Sequence, residues 1–356
     1  MSGGAPRHKG GGGLEPSLRA MDAKRYLIRP FGDADYETLG RFQSERFPEL
    51  HSTAREEREW DEVIERAHMI HEKWAVEERS TGAVIAIAGL NHAPYSYDPH
   101  KFWVFVLVGR DHLHEGIGQA LATLLVAEAV DHHAVCYWTN VRTDDQRSLQ
   151  FASRQGFTEL RTTWLSVLDV SSCETAPAGE GPRDPSRWAG IRFTTLAEEG
   201  PRRSEVLRRL HELWNETSRD VPRMGEYVPL AFSQFEAEMD RAGILPDAFF
   251  LAGHGDIYVA SSHLERNFAE PESLMVGYTG TRAEFRGRGL AAELKRRAVE
   301  YARSHGIRYL KTFNDSLNDP IWKINERMGF RRTAQISNLE RRFAPKPPDG
   351  IAPPTG

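Results

Sequence analysis

The apolar positions of this chain fall into short alternating or continuous runs, and the runs come in the same order twice. In the first half, Trp74–Glu77 and Ala83–Ala88 flank the turn-like Arg79–Gly82, a pattern that predicts a β-hairpin. The unbroken run Phe102–Val108 predicts a buried strand. A glycine-containing turn, Glu115–Gly118, leads into a segment whose apolar residues Ile117, Leu121, Leu124 and Leu125 recur at helical spacing. In the second half, Phe249–Ala252 and Ile257–Ser261 flank Gly253–Asp256, again a hairpin signal, and Leu274–Thr281 is the next predicted strand. The turn Arg286–Gly289 opens a helix with Leu290, Leu294, Ala298 and Tyr301 on one side, and Gly306 is placed to stop it.

The distances repeat as well. Gly116 to Gly156 and Gly289 to Gly329 are both 40 positions apart, and each downstream glycine precedes a phenylalanine, Phe157 or Phe330. Matched order and matched spacing predict an internal duplication. Between the copies, residues 171–189 hold Pro177, Gly179, Gly181, Pro182 and Pro185 with few apolar residues, which marks a linker. The expected organisation is a disordered leader over 1–24, a first domain over 25–170, this linker, a second domain over 190–343 and a disordered tail over 344–356.

Composition narrows the classes. At 356 residues the chain exceeds one ordinary domain, and 40% hydrophobic with 27% charged residues is usual for a globular protein. No run approaches a membrane span, so no membrane is expected. A net charge of −5 argues against nucleic acid as the main partner. Two cysteines, Cys136 and Cys173, are too few for a disulfide framework, and the glycine-rich start has no apolar signal segment; a cytoplasmic location is the default expectation. His132–His133 and the pair His112 and His114 lack the spacing or cysteine partners of a zinc site, so no metal is expected.

The strongest chemical signal is Arg286-Gly287-Arg288-Gly289-Leu290-Ala291, set between a predicted strand and a predicted helix. A helix start presents free N–H groups and a positive dipole end, glycines let that backbone approach an anion, and the two arginines add charge. Arg-x-x-Gly-x-Ala in this position resembles the acyl-CoA pyrophosphate loop of the GNAT N-acetyltransferase superfamily. The segment from Asn314 through Asn318 and Asn325 to Gly329-Phe330 resembles that family's last helix. The resemblance spans the chain outside leader, linker and tail, and is closest to bacterial tandem GNAT proteins of mycothiol-synthase architecture. It implies an α/β fold, with two tandem GNAT acyltransferase folds, each a mixed, mostly antiparallel sheet flanked by helices and splayed near its centre. It implies acetyl-CoA as co-substrate, held by amides from Arg288 to Ala292, by the backbone of Thr279 and Thr281, and by Asn318. Where many GNAT enzymes carry a tyrosine that protonates the departing thiolate, this chain has Asn325, an amide that donates a hydrogen bond but is no general acid. Either the thiolate leaves unprotonated or another residue, such as Tyr278, serves in its place. The first copy departs further: Leu113 and Glu115 stand in its turn, Asp145 stands for Asn318 and Ala152 for Asn325, which implies weakened cofactor binding and a structural or substrate-shaping role.

On the acceptor side, Glu212, Glu216 and Asp220 recur every four residues from a predicted helix, Leu207–Thr217, into the loop after it. An acidic lining would draw a cationic amine and take its proton; a solvated helix face is the competing reading. His211 is a second base candidate. The expected function is direct acetyl transfer from acetyl-CoA to a primary amine of a small molecule, by a monomer or homodimer. The competing readings are an acyl-CoA-binding sensor or scaffold without turnover, and a protein N-acetyltransferase.

Overall fold

The computed structural model describes residues 21–93, 96–172, 185–200 and 203–343. The predicted tail, most of the leader and the middle of the predicted linker lie outside the described residues. The first half runs β1 (Tyr26–Pro30), α1 (Tyr36–Arg46), α2 (Ala54–Arg66), β2 (His71–Glu78), β3 (Val84–Asn91), β4 (Lys101–Val108), α3 (Ile117–Asp131), β5 (Cys136–Arg142), α4 (Gln146–Arg154) and β6 (Thr158–Asp169). The second runs β7 (Ile191–Thr195), α5 (Arg203–Ser218), α6 (Phe232–Met239), β8 (Ile244–His254), β9 (Ile257–Arg266), β10 (Ser273–Thr281), α7 (Leu290–Ser304), β11 (Tyr309–Asp315), α8 (Asp319–Arg327) and β12 (Arg331–Arg342). Each of α3, β5, α4 and β6 maps onto α7, β11, α8 and β12 at both ends by an offset of 173 residues, as from Ile117 to Leu290. The duplication is therefore gapless here, and a residue of one half names its counterpart in the other.

The two halves share one sheet. Its twelve strands lie in the order β1-β2-β3-β4-β5-β12-β6-β11-β10-β9-β8-β7. The last strand of each half is thus exchanged: β12 pairs with β5 (Ser337 opposite Val141), and β6 pairs with β11 (Leu165 opposite Phe313). The sequence boundary between the halves is not a boundary in space. One face carries α3 over Ala86, Ala88, Leu90 and Tyr137, and α7 over Phe250, Ala252 and Ala260. The opposite face carries α1 over Ile87 and Leu107, and α5 and α6 over Phe249 and Leu251. Alternation along each strand sends neighbours to opposite faces, which gives both faces a core. Met21, assigned to the leader by composition, packs into the first of these cores at 5% exposure.

Two places in the sheet come apart. β4 and β5 run parallel and pair only from Lys101 opposite Cys136 to Trp103 opposite Trp138. β10 and β11 do the same from Ser273 opposite Tyr309 to Met275 opposite Lys311. Beyond those residues each pair diverges, leaving a wedge whose open end faces the start of α3 or α7. The wedges differ in one respect. Against β9, β10 shifts register by one residue between Val276 and Thr279, a bulge at Gly277–Tyr278, whereas β4 runs along β3 without a shift.

Candidate active site

The second wedge collects most of the residues singled out from sequence. Gly287 and Gly289 have φ of +77° and +80°, left-handed values that favour glycine, and a Cβ on either would meet no atom within 4 Å. The backbone ahead of α7 is thus bent by glycine and left open on its outer side. Gly289 caps α7, and Leu290 and Ala291 begin it, so the free N–H groups of the first turn face the wedge mouth. Arg286 donates from Nε to the Thr281 carbonyl (3.0 Å) and from its η nitrogen to Asp220 (2.5 Å), fixing the loop to the end of β10 and to the loop after α5. Trp188, within the predicted linker, donates from Nε1 to the Arg288 carbonyl at 3.1 Å. Sequence reading missed this buttress, because nothing in a proline- and glycine-rich stretch marks one tryptophan as docked.

β10 itself is shaped by two glycines. A Cβ at Gly277 would stand 2.2 Å from His263 Nε2, and one at Gly280 would stand 2.6 Å from Thr217 Oγ1 and 2.7 Å from the Tyr278 ring. Tyr278 therefore folds across Gly280 toward α5, its ring 4.5 Å from that of Trp214. Burial pushes the Tyr278 phenol up, while the Thr217 and Ser218 hydroxyls and the Arg223 charge pull it down; the net is upward, so the hydroxyl keeps its proton. Thr279 exchanges a hydrogen bond with Ser262 (2.9 Å) through its side chain, leaving its backbone along the wedge. Asn318 caps α8 without using its side chain, whereas its counterpart Asp145 accepts from the Ser148 N–H at 3.0 Å.

Three expectations need correction. Asn325 does not face the wedge: it is fully buried, and its Nδ2 donates to Asn314 Oδ1 at 2.9 Å. The amide is spent on holding α8 to β11, so a hydrogen bond from it to a leaving thiolate is not available. Glu212 lies on the exposed face of α5, which continues to Ser218, and joins no cluster. Glu216 does reach the site but is ion-paired with Arg282, and Asp220 with Arg286, so the acidic face is largely neutralised. His211 is engaged with the Leu230 carbonyl (2.6 Å) and Asn215.

The two wedges differ most at the face bearing α1 and α5. Along β11, Lys311 reaches the Glu49 carbonyl and Glu270, and Asn314 turns to α8, so Phe313 lies on the same face as Lys311. Phe313 is 42% exposed, an unusual state for phenylalanine, and it stands across the wedge from β10. Its counterpart in the first half, Asn140, accepts hydrogen bonds from Arg46 at the end of α1, a strap across the wedge. Arg219, the counterpart of Arg46, is exposed instead. On this face the first wedge carries the Arg46–Asn140 contact, and the second carries exposed Phe313 instead.

The first wedge contains a cavity of about 950 Å³ lined by β4, β5, α3 and α4 and, on the other face, by Phe42, Glu45, Arg46 and Pro48 of α1 and the loop after it. Glu115, expected to oppose an anion there, is turned onto β1: the Tyr26 hydroxyl, with His112 and Arg25, binds its carboxylate and holds it below the usual range. At the far end of α3 from Gly116, His132 lies 3.2 Å from Glu72 and 4.0 Å from Glu128.

A glycine-bent helix start facing a wedge between two parallel strands, repeated twice, agrees with the comparison to known families. The acetyltransferase (GNAT) family description matches residues 36–157 and 207–330, more than half of the chain. The chain belongs to the GNAT family. The matched segments are the two copies, so this is a tandem GNAT protein. Among solved structures, a tandem GNAT protein from the clavulanic acid biosynthesis pathway superposes with a TM-score of 0.66 at 18% identity, over 90% of this chain and 99% of that one. A GCN5-related N-acetyltransferase from Sphaerobacter thermophilus gives 0.63 at 18% identity, over 90% and 96%. The glucosamine N-acetyltransferase region of a fungal multi-domain β-N-acetylglucosaminidase gives 0.62 at 13% identity, over 88% of this chain and 38% of that one. At these identities the likeness is one of fold. A comparison with curated protein sequences finds no match. No helix among the described residues is long and apolar enough to cross a membrane.

Proposed function

We propose that this tandem GNAT protein transfers an acetyl group from acetyl-CoA directly to a primary amine of a small molecule, and that the second half carries the reaction. The observation that carries this reading is the bulge at Gly277–Tyr278 beside the second wedge: it interrupts the β10 ladder where the wedge begins, and β4, at the first wedge, pairs with β3 without one. The residues present fit the co-substrate. Gly287 and Gly289 leave the N–H groups of Arg288 to Ala292 clear for a pyrophosphate, and Arg288 adds charge beside the Arg286–Asp220 pair that fixes the loop. The β10 edge from Val276 to Thr281 has no strand partner on the β11 side, so Thr279 and Thr281 supply backbone groups for an amide-bearing arm, with Asn318 opposite.

Bound acetyl-CoA supplies the acyl group and a thiolate leaving group. Backbone N–H groups at the bulge polarise the carbonyl. Tyr278, protonated and adjoining the bulge, donates to the departing sulfur, the role that Asn325 is too buried to take. Phe313, exposed on β11, and Trp214, whose ring adjoins that of Tyr278, offer apolar surface on the acceptor side. Approach and alignment of the amine supply much of the acceleration in such a transfer.

The test is calorimetric titration of acetyl-CoA together with acetyl transfer to a panel of amines, on wild type and Gly289→Glu. The variant sets a negative charge where the pyrophosphate binds, and both tight binding and transfer should disappear. Transfer that survives the variant moves the reaction to the first half. Absence of acetyl-CoA binding by wild type removes the acyltransferase reading, and binding without transfer to any amine favours a sensor or scaffold.

A further inference from the structure

The far end of α3 gathers a chemistry that neither wedge uses. His132 follows the last residue of the helix and donates its N–H to the Glu128 carbonyl at 2.9 Å, so the side chains of Glu128 and His132 stand one turn apart. Glu72 of β2 reaches the same point from the sheet. One of its carboxylate oxygens is hydrogen-bonded to His132 Nε2 at 3.2 Å, and an oxygen of Glu128 lies 4.0 Å from that nitrogen. Because α3 has 15 residues, the cluster stands about 20 Å from Gly116, and none of its three residues lines the cavity of the first wedge.

One imidazole nitrogen and two carboxylate oxygens thus lie within 4.8 Å of one another. A zinc ion with bonds of about 2.0–2.2 Å holds its ligand atoms about 3.3 Å apart, so closing the cluster asks for about 1 Å of movement at the ends of two glutamates. The three side chains are 18–29% exposed, open enough to admit an ion and covered enough to strengthen its field. That field is negative: the carbonyl end of α3 points here, Asp131 adjoins it, and among the described residues no lysine or arginine pairs with Glu72. The Glu72 hydrogen bond, with the charges of Glu128 and Asp131, holds the His132 imidazole above its ordinary range, the response of a base in surroundings that favour a cation. Its ring leans on Phe102, fully buried in the first core, with centroids 5.6 Å apart. Histidine spacing does not reveal such a cluster, since Glu72 comes from another element.

We propose that Glu72, Glu128 and His132 bind a zinc ion, with water completing its shell, and that the ion clamps the end of α3 to β2. One nitrogen and two oxygens suit zinc better than magnesium or calcium, which favour oxygen ligands alone. On binding, Nε2 gives up its proton to solvent and presents its lone pair to the metal, while both carboxylates keep their charge. The site rests on neither wedge and on no part of the reaction assigned to the second half.

The test is calorimetric titration of zinc chloride into the full chain, stripped with EDTA and freed of the chelator, as wild type, Glu72→Gln and His132→Ala, with magnesium chloride for comparison. Wild type should bind zinc with micromolar affinity, each variant should weaken that binding at least about tenfold, and magnesium should not compete for the site. Thermal melts give a second reading: zinc should raise the melting temperature of wild type and leave those of the variants where they were. Glu128→Gln takes the place of His132→Ala if the latter fails to fold. A wild type that takes up zinc no better than magnesium would overturn the proposal. So would an affinity unchanged in Glu72→Gln and in the His132 or Glu128 variant, which would place the ion on other histidines of the chain.

Discussion

Lys295 sits 97% buried on α7, its ammonium 5.9 Å from the Phe330 ring, and burial alone pushes it down to about 7. A base with a depressed folded value binds fewer protons than the unfolded chain between pH 7 and its ordinary value near 10.5, so stability rises with pH across that window. Below it both states are charged and the cost is full. Lys295→Met should therefore stabilise the protein most at pH 6, and its advantage should shrink by about 3 kcal/mol by pH 9, at about 1.4 kcal/mol per unit. Urea melts of both proteins at the two pH values check this; an advantage independent of pH would mean that the ammonium is solvated. Gly280 makes a different demand. A Cβ there displaces Tyr278 or Thr217, so Gly280→Ala should cost about 1–3 kcal/mol and lower turnover beyond that. Unchanged turnover would remove Tyr278 from the reaction. At this scale the glycine-arginine loop was legible because backbone geometry dictates its residue types. The fate of Asn325 was not: whether an amide faces a cleft or a neighbouring strand depends on Asn314, eleven residues earlier and on another element.

The elements show how two copies of one plan were driven apart. Their order and the 40-residue spacing were readable, because periodicity and turn chemistry are local. The strand exchange was not, since β6 and β12 have the same pattern whichever sheet they join. Nor was the bulge in β10, which depends on the side chains folded over Gly277 and Gly280. The helix α1 ends in Arg46, whose guanidinium, pushed down to about 10 by burial, bonds both the carbonyl and side chain of Asn140. Removing it leaves those acceptors unsatisfied, so Arg46→Ala should cost about 1–3 kcal/mol. Its counterpart, Arg219, lies just past the end of the matching helix α5 and is exposed, and Arg219→Ala should change stability by about 0.5 kcal/mol or less. Paired urea denaturation of the two variants separates a strap from a solvated side chain. Similar effects in both would mean that the Arg46–Asn140 contact holds no more than a solvated side chain does.

At the scale of the molecule, the exchanged strands make the two halves one folding unit. β12 lies between β5 and β6, pairing Arg342 with Cys136 on one side and Glu340 with Thr158 on the other, while β6 carries the link onward to β11. A chain ending at residue 172 would lack β12 and expose two open strand edges, each a row of unpaired N–H and C=O groups. The loops reinforce this. The loop after α1 receives Lys311 of the second half at the Glu49 carbonyl, and the loop after α5 sets Gly225, where a Cβ would stand 2.6 Å from the indole, against Trp138 of the first. Neither half can lose its partner without uncovering its own central strand. The full chain should therefore unfold in a single calorimetric transition whose measured enthalpy equals the van't Hoff value, despite a length at which two domains would ordinarily melt apart. Two resolved transitions, or a first half that folds alone when expressed as residues 21–172, would show that the shared sheet does not couple them.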